Sequence, residues 1–235
     1  MGCSESRELQ NFNFQNLEQV EESLGFSKIP SETLENTFYK YSKDNKLTSG
    51  QLARALESLN LKNQTLSKFF DLFRNKAALK HELEFYDVQK LATFGILIGS
   101  GSEEQKIKLL FRNYDFQTKK YLSVADVKIL VEDILEVFIE IVTKYGKSLI
   151  NTQAFEDYSK SLVKAFNISH EFFLELILLD ETKVTEEEFC NCFLRVEMKC
   201  LLKPQKLRSV CYTLYTTIVE GNNVRKFNTS STSES

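Results

Sequence analysis

Apolar and polar residues follow one another along this chain in a pattern that occurs four times. In each copy an apolar residue is followed at once by a polar residue, and an acidic or amide residue stands three positions later. Apolar residues then recur at the three- and four-residue spacing of an amphipathic helix, and another such segment lies upstream. Each copy therefore predicts a helix, a loop and a second helix. The copies are Leu47-Thr48-Ser49-Gly50-Gln51, Leu83-Glu84-Phe85-Tyr86-Asp87, Leu122-Ser123-Val124-Ala125-Asp126 and Val184-Thr185-Glu186-Glu187-Glu188.

Three of the four copies contain a capping box, the motif that begins a helix. In this motif a Ser or Thr hydroxyl accepts the backbone N–H three residues later, and the side chain at that later position reaches back to the cap. The predicted boxes are Thr48 with Gln51, Ser123 with Asp126, and Thr185 with Glu188. The apolar residues before the helices are predicted to form short strand pairings, Leu47 with Leu83 and Leu122 with Val184.

The four copies divide into two pairs. Gly99 to Ser102 is the predicted interlobe hinge, because a glycine can end the preceding helix and Ser102 can cap the next. A wider spacing before the fourth copy accommodates an inserted helix from Thr152 to Phe166. We therefore predict an all-α protein with two lobes of paired helix-loop-helix units. The predicted segments are 1–30, an N-terminal segment with a short helix; 31–98 and 102–203, the two lobes; 204–227, a C-terminal helix; and 228–235, a disordered tail.

The third copy resembles the calcium-binding loop of EF-hand proteins. Its twelve residues begin with Asp115, carry the apolar Leu122 in the eighth position and end with Asp126. The four-unit layout over residues 31 to 200 is similar to that of the neuronal calcium sensor and calcineurin B groups. A weaker likeness is to the degenerate EF-hand region that precedes TLDc domains. The resemblance implies a regulatory protein whose lobes are paired EF-hand-like units.

The loops of this chain lack most of the oxygen ligands that calcium requires. A calcium loop supplies oxygens from its first, third, fifth and twelfth positions and carries glycine at the sixth. The third loop offers Asp115, Gln117 and Asp126, but Lys119 and Lys120 occupy the fifth and sixth positions. We therefore expect all four loops to be structural. Any calcium binding is expected at those three residues, with an affinity of roughly millimolar or weaker.

The first six residues match the N-myristoylation pattern. Gly2 becomes the acyl acceptor once Met1 is removed, and Ser6 stands at the preferred hydroxyl position. A single myristoyl chain binds membranes only marginally, and no basic cluster follows, so a second anchor is required. Cys3 is placed to carry a palmitoyl group. This pattern predicts an intracellular lipoprotein attached peripherally to the cytoplasmic face of a membrane.

Charge and cysteine content narrow the classes of function. The formal net charge is −3, and Lys and Arg are scattered among acids, which argues against nucleic acid as a partner. Five cysteines without a secretory signal favour a reducing compartment over a disulfide framework. The sequence contains no zinc-ligand spacing or phosphate loop, and its carboxylate pairs fall on predicted solvated helix faces. We therefore expect a protein that is not an enzyme.

The helix predicted from Val124 to Tyr145 is apolar on both flanks, which leaves two arrangements open. It lines a groove that receives an amphipathic helix of a larger protein, as the EF-hand resemblance implies, or the inserted helix covers it. The last helix, Gln205 to Val219, is a candidate ligand for that groove within the same chain. We expect a membrane-tethered adaptor or regulatory subunit; the alternatives are a low-affinity calcium sensor and a calcineurin B-like regulatory subunit of an enzyme. The candidate groove residues are Val127, Leu130, Ile134, Val137, Phe138 and Ile141.

Overall fold

The computed structural model describes residues 16–61, 63–75, 85–179 and 181–230. This part of the chain is mostly helical and contains two small antiparallel sheets, so the predicted all-α class is confirmed at that level. The helices are α1 (16–23), α2 (Ser31–Tyr41), α3 (Ser49–Ser58), α4 (Asn63–Phe70), α5 (Val88–Ile98), α6 (Glu103–Tyr114), α7 (Val124–Leu135), α8 (Val142–Leu149), α9 (Gln153–Leu178), α10 (Glu186–Phe193) and α11 (Pro204–Ser230). A π-helical segment, Glu136–Ile141, joins α7 to α8. The strands are β1 (Lys46–Leu47), β2 (Arg74–Asn75), β3 (Phe85–Asp87), β4 (Tyr121–Ser123) and β5 (Lys183–Thr185).

The helices that follow the loops begin at side-chain caps. All three predicted capping boxes are confirmed: the hydroxyl accepts the backbone N–H three residues later, and the later side chain accepts the N–H of the cap residue at 2.8 to 2.9 Å. They are Thr48 with Gln51, Ser123 with Asp126, and Thr185 with Glu188. Ser102 also caps α6, where it accepts the N–H of Gln105 at 3.1 Å. An N-cap of this kind typically stabilises a helix by about 1 kcal/mol.

The second unit is displaced by three residues from its predicted register. Its second helix is capped by Asp87, and the residue paired with Leu47 is Tyr86 rather than Leu83. Residue 83 itself lies outside the described part of the chain. Aspartate is among the preferred N-cap residues and glutamate is not, which explains why the helix begins after Asp87 rather than after Glu84.

The two sheets join the loops in pairs. Leu122 of β4 lies opposite Val184 of β5, as predicted. Leu47 of β1 pairs with β3, and β2 lies along the other edge of β3. The first loop therefore contacts the second, and the third contacts the fourth.

Two of the predicted helices are longer in the structure. The inserted helix predicted from Thr152 to Phe166 continues without a break into the first helix of the fourth unit, and together they form α9. No glycine or proline interrupts this stretch, so nothing in the backbone requires a break. The last helix, α11, extends past residue 227 to Ser230, so the predicted disordered tail begins inside a helix. Residues 231–235 lie outside the described part.

A single buried cluster runs through the described helices from α1 to α11 and includes both predicted lobes. The predicted interlobe hinge is a tightly packed turn in this structure. The Ser100 N–H donates to the carbonyl of Ile29 at 2.8 Å, and the Ser31 N–H donates to the carbonyl of Ser100 at 2.9 Å. Gly99 lies so close to Ser31 and Leu34 that a Cβ atom would be 2.9 Å from each. These contacts therefore hold the turn between α5 and α6 against the start of α2.

Candidate functional site

The third loop, between α6 and β4, is closed by its own first carboxylate. Asp115 accepts the backbone N–H groups of Lys119 and Lys120 at 2.8 and 2.9 Å. Lys120 has a φ of 64°, in the left-handed region that favours glycine. Gln117 is exposed. The Asp115 carboxylate thus satisfies the N–H groups of the turn that it begins.

The acid at the other end of this loop is also engaged within the protein. Asp126 accepts the N–H of Ser123 at 2.9 Å and its hydroxyl at 2.7 Å, while the Lys119 ammonium lies 3.9 Å from the same carboxylate. A bound cation would compete with Lys119 for Asp126. Among the described residues, no group of three or more His, Cys, Asp and Glu side chains is arranged to hold a metal ion.

The predicted groove residues belong to the core. Their side chains are at most 5% exposed: Val127, Leu130, Ile134, Val137, Phe138 and Ile141. The open groove is therefore wrong for this conformation, because α9 packs along α7 and the π-helical segment, and α11 packs on α9. On the opposite flank Ile139 is fully buried, whereas Ile129 is 46% exposed, so that flank is covered only in part. Burying a large apolar side chain contributes about 1.5 to 3 kcal/mol, so coverage of the groove residues is favourable.

A surface pocket of about 440 Å³ lies in the fourth unit, where α9 ends, β5 passes and α10 begins. Ile177 and Val184 contribute apolar wall. Leu179 lines the edge, is 59% exposed and has a φ of 46°. Beyond α10, Leu194 and Val196 are also exposed. The pocket is thus an apolar depression beside further exposed apolar side chains.

The charged residues that line this pocket are two acids, Glu181 and Glu188, and two bases, Lys183 and Arg195. Glu181 lines it and is exposed, and the carbonyl end of α9, with its partial negative charge, faces the same region. Arg195 also lines the pocket, but its Nη2 donates to the carbonyl of Leu176 at 2.7 Å. The Lys183 ammonium lies 5.6 Å from the centre of the Tyr121 ring. The acidic and basic residues of the lining therefore balance, and the pocket suits an apolar side chain.

A polar cluster with little exposure lies between α5, α6 and α7 and connects the second unit with the third. The Lys90 ammonium donates a hydrogen bond to Glu136 and lies 3.5 Å from Asp133. The Tyr114 hydroxyl donates to Asp133 at 2.8 Å and lies 2.7 Å from the Thr93 hydroxyl. One carboxylate therefore receives groups from both neighbouring helices.

Burial changes the acidities within this cluster. It raises the pKa of Asp133 to about 6, although the Lys90 charge and the Tyr114 hydrogen bond act in the opposite direction. Burial lowers the pKa of Lys90, but the hydrogen bond to Glu136 and the charge of Asp133 outweigh that effect, and the pKa is raised overall. Lys90 therefore stays charged, while Asp133 titrates near pH 6.

The sequence pattern missed both of these residues. The role of Lys90 was not apparent because the second unit was predicted in the wrong register. Asp87, a preferred N-cap residue three positions after Glu84, indicated the correct register. In that register Lys90 occupies the position that carries the returning side chain in the three capping boxes. Asp133 gave no local signal, because acids on a helix are usually solvated and its neighbours come from two other helices.

The first described helix, α1, is docked against the rest of the protein. Leu17 packs on Gly146 of α8, where a Cβ atom would lie 2.5 Å from the Leu17 Cδ2 atom. Arg208 of α11 donates to Glu21 of α1 at 2.6 Å, and both side chains are buried. The chain therefore enters the described structure at a fixed position.

The candidate lipidation residues, Gly2 and Cys3, lie outside the described residues. Within the described part, no helix has both the length and the apolar character needed to cross a bilayer. Comparisons with protein-family models, with curated proteins and with solved structures found no match.

Proposed function

We propose that this chain is a membrane-tethered, EF-hand-type adaptor or regulatory subunit that binds a helix of a larger protein and catalyses no reaction. The order of strand, cap and helix in the four units is the main support. A paired strand residue directly precedes each N-cap: Leu47 before Thr48, Tyr86 before Asp87, Leu122 before Ser123, and Val184 before Thr185. The EF-hand resemblance of the third loop gives this repeated arrangement its interpretation.

The hydrogen bonds of the third loop favour a scaffold over a calcium sensor. Asp115 and Asp126 already accept hydrogen bonds from their own loop and helix start, and Lys119 supplies positive charge next to Asp126. The loop is therefore held closed by the protein's own groups. An adaptor of this kind presents its binding surface without first binding calcium.

The tether is proposed from Gly2, Cys3 and Ser6. The segment before α1 spans at most about 50 Å when fully extended, so acylation would keep the folded body close to the bilayer. Docking of α1 through Leu17 and Glu21 supports this proposal, because it gives the tether a fixed point of attachment.

The pocket between α9, β5 and α10 is the surface that we assign to the partner, since the groove predicted from the sequence is closed. Its apolar wall and the exposed Leu179 suit one face of an amphipathic helix. The balanced charges of the pocket lining select no net charge on that helix. The proposed partner segment is therefore an amphipathic helix.

Two matched substitutions on α9 and its cap test this assignment. Leu179→Asn removes the apolar side chain without straining the backbone, because asparagine tolerates the left-handed conformation. Val163→Asn is the control, because Val163 is also exposed and lies on α9 about 24 Å from Leu179 along the helix axis. Proteins near the full-length chain are identified in cells by proximity labelling, and peptides of their amphipathic segments are titrated into the purified protein.

We expect at least one such peptide to bind the wild type and Val163→Asn alike, and Leu179→Asn about tenfold more weakly. Equal binding to all three proteins would refute the assignment of the pocket. The absence of any binding peptide would count against the adaptor function itself.

A further inference from the structure

Lys90 lies three residues after the N-cap of the second unit. In the other three units the side chain at this position completes a capping box. There, Gln51, Asp126 and Glu188 fold back and accept the N–H of their own cap residue. An ammonium group has no acceptor and cannot make that bond. The Asp87 cap of α5 therefore works alone: its carboxylate accepts the Lys90 N–H at 3.2 Å, and the Lys90 side chain is free to turn elsewhere.

The side chain crosses from α5 to the segment that follows α7. Its ammonium donates to Glu136 and lies 3.5 Å from Asp133, with only 19% of the side chain exposed. One turn further along α5, Phe94 stacks on Phe138 at a centroid distance of 6.1 Å. Two successive turns of α5 thus contact residues 133–138 of the neighbouring helix.

Two of the contacted residues, Glu136 and Phe138, belong to the π-helical segment. It begins at Glu136, and the Val142 N–H donates to the carbonyl of Val137, five residues earlier. π-helical segments are rare and contain one more residue per hydrogen-bonded turn than an α-helix. If residues 136–141 became α-helical, the helix beyond them would rotate by about 100°.

The helix beyond them is α8, which carries the docking position of α1. Leu17 fits against Gly146 only because that residue has no side chain. Rotation of α8 would replace Gly146 at this contact by a residue with a side chain and displace Leu17. The interface between the units and the N-terminal helix are therefore connected through one continuous helix.

We infer that Lys90 is a built-in cation that latches the second unit to the third and holds residues 136–141 in the π-helical form that keeps α1 docked. The latch has two states. In the closed state Lys90 is bound by Glu136 and Asp133; in the open state the segment is α-helical and α1 is released. This inference goes beyond the proposed function and does not depend on it.

Amide hydrogen exchange on the full chain, followed by mass spectrometry, tests the latch. Lys90→Met is expected to speed exchange at least about tenfold in residues 136–149 and in residues 16–23, since a charge-assisted hydrogen bond is typically worth such a factor. Lys90→Arg keeps a cation and is expected to exchange more slowly than Lys90→Met in both ranges. Lys108→Met is the matched control, because it removes an exposed ion pair with Glu104 inside α6 and should change neither range.

Unchanged exchange in residues 136–149 would overturn the latch, and unchanged exchange in residues 16–23 would overturn its connection to α1. Equal acceleration in α3 and α10 would also overturn the inference, because it would indicate general loss of stability. If Lys90→Met does not fold, Glu136→Gln gives the same test. It leaves Lys90 beside Asp133, and acceleration confined to the two ranges supports the latch.

Discussion

Arg208 of α11 donates a 2.6 Å hydrogen bond to Glu21 of α1, 187 positions earlier in the chain, and both side chains are buried. The Nε and Nη2 atoms of this guanidinium have no hydrogen-bond partner among the described residues. Removing a charge from water costs several kcal/mol, so each member of this pair depends on the other. The pair therefore connects α1, the helix that follows the proposed tether, to α11, the last described helix.

Arg208→Met should lower the free energy of unfolding by about 3 to 5 kcal/mol, because it leaves Glu21 buried without its partner. Adding Glu21→Leu should recover most of that loss, since the double variant buries apolar groups and no charge. Urea denaturation of the wild type, both single variants and the double variant measures these differences. A double variant that is no more stable than Arg208→Met would show that the two charges are not coupled.

Asp133 should give stability a pH dependence opposite to that of an ordinary ion-paired carboxylate. Its pKa is about 6 in the folded protein, above its ordinary value of 3.8. The folded state therefore binds the proton more tightly, and the resulting stability is present below about pH 4 and lost as the pH rises through 6. Relative to Asp133→Asn, the wild type should lose roughly 2 kcal/mol between pH 4 and pH 7.

Urea unfolding at several pH values tests this sign. Asp157→Asn is the control, because the Asp157 carboxylate is exposed on α9. A wild type that gains stability over Asp133→Asn as the pH rises would contradict the raised pKa.

The wild-type melting temperature should be the same in calcium and in chelator. Asp115 already accepts two backbone N–H groups, and Lys119 lies next to Asp126. Asp115→Ala should lower stability by about 1 to 2 kcal/mol in both solutions, because those two hydrogen bonds lose their acceptor. Differential scanning calorimetry in millimolar calcium measures both effects. A calcium-dependent shift in the wild type that disappears in Asp115→Ala would instead support a weak calcium site.

Features that depend on neighbours in sequence could be predicted from the chain. The box formed by Thr185 and Glu188 lies within three residues. The pairing of Leu122 with Val184 joins residues 62 positions apart, but it could also be predicted because the repeat places both at the same position of two paired copies. The register of the second unit was wrong because Glu84 was taken as the polar residue that starts the helix, whereas Asp87, three positions later, is the cap. The aspartate at position 87, a preferred N-cap residue, indicated where the helix begins.

Features that depend on distant residues could not be predicted. The apolar flanks of α7 left open whether the inserted helix or a partner covers them, and only the packing of α9 along α7 decides between the two. Arg208 lies on a helix whose sequence gives no indication of Glu21, and Lys90 finds Glu136 only after two units have packed. Local periodicity defines which face is buried, whereas the identity of the buried ionic partners depends on the tertiary arrangement.

The tether is tested most directly by the membrane-bound fraction of the full-length protein after cell fractionation, with acylation followed by mass spectrometry. We expect the wild type to be bound and acylated, Gly2→Ala to lack myristate and become cytosolic, and Cys3→Ser to show an intermediate bound fraction. The intermediate value follows because a single myristoyl chain binds a membrane with a constant of only about 10⁴ M⁻¹. High salt should change the wild-type fraction little, since no basic cluster lies near the N-terminus. A Gly2→Ala protein that remains fully membrane-bound would contradict a lipid tether at Gly2.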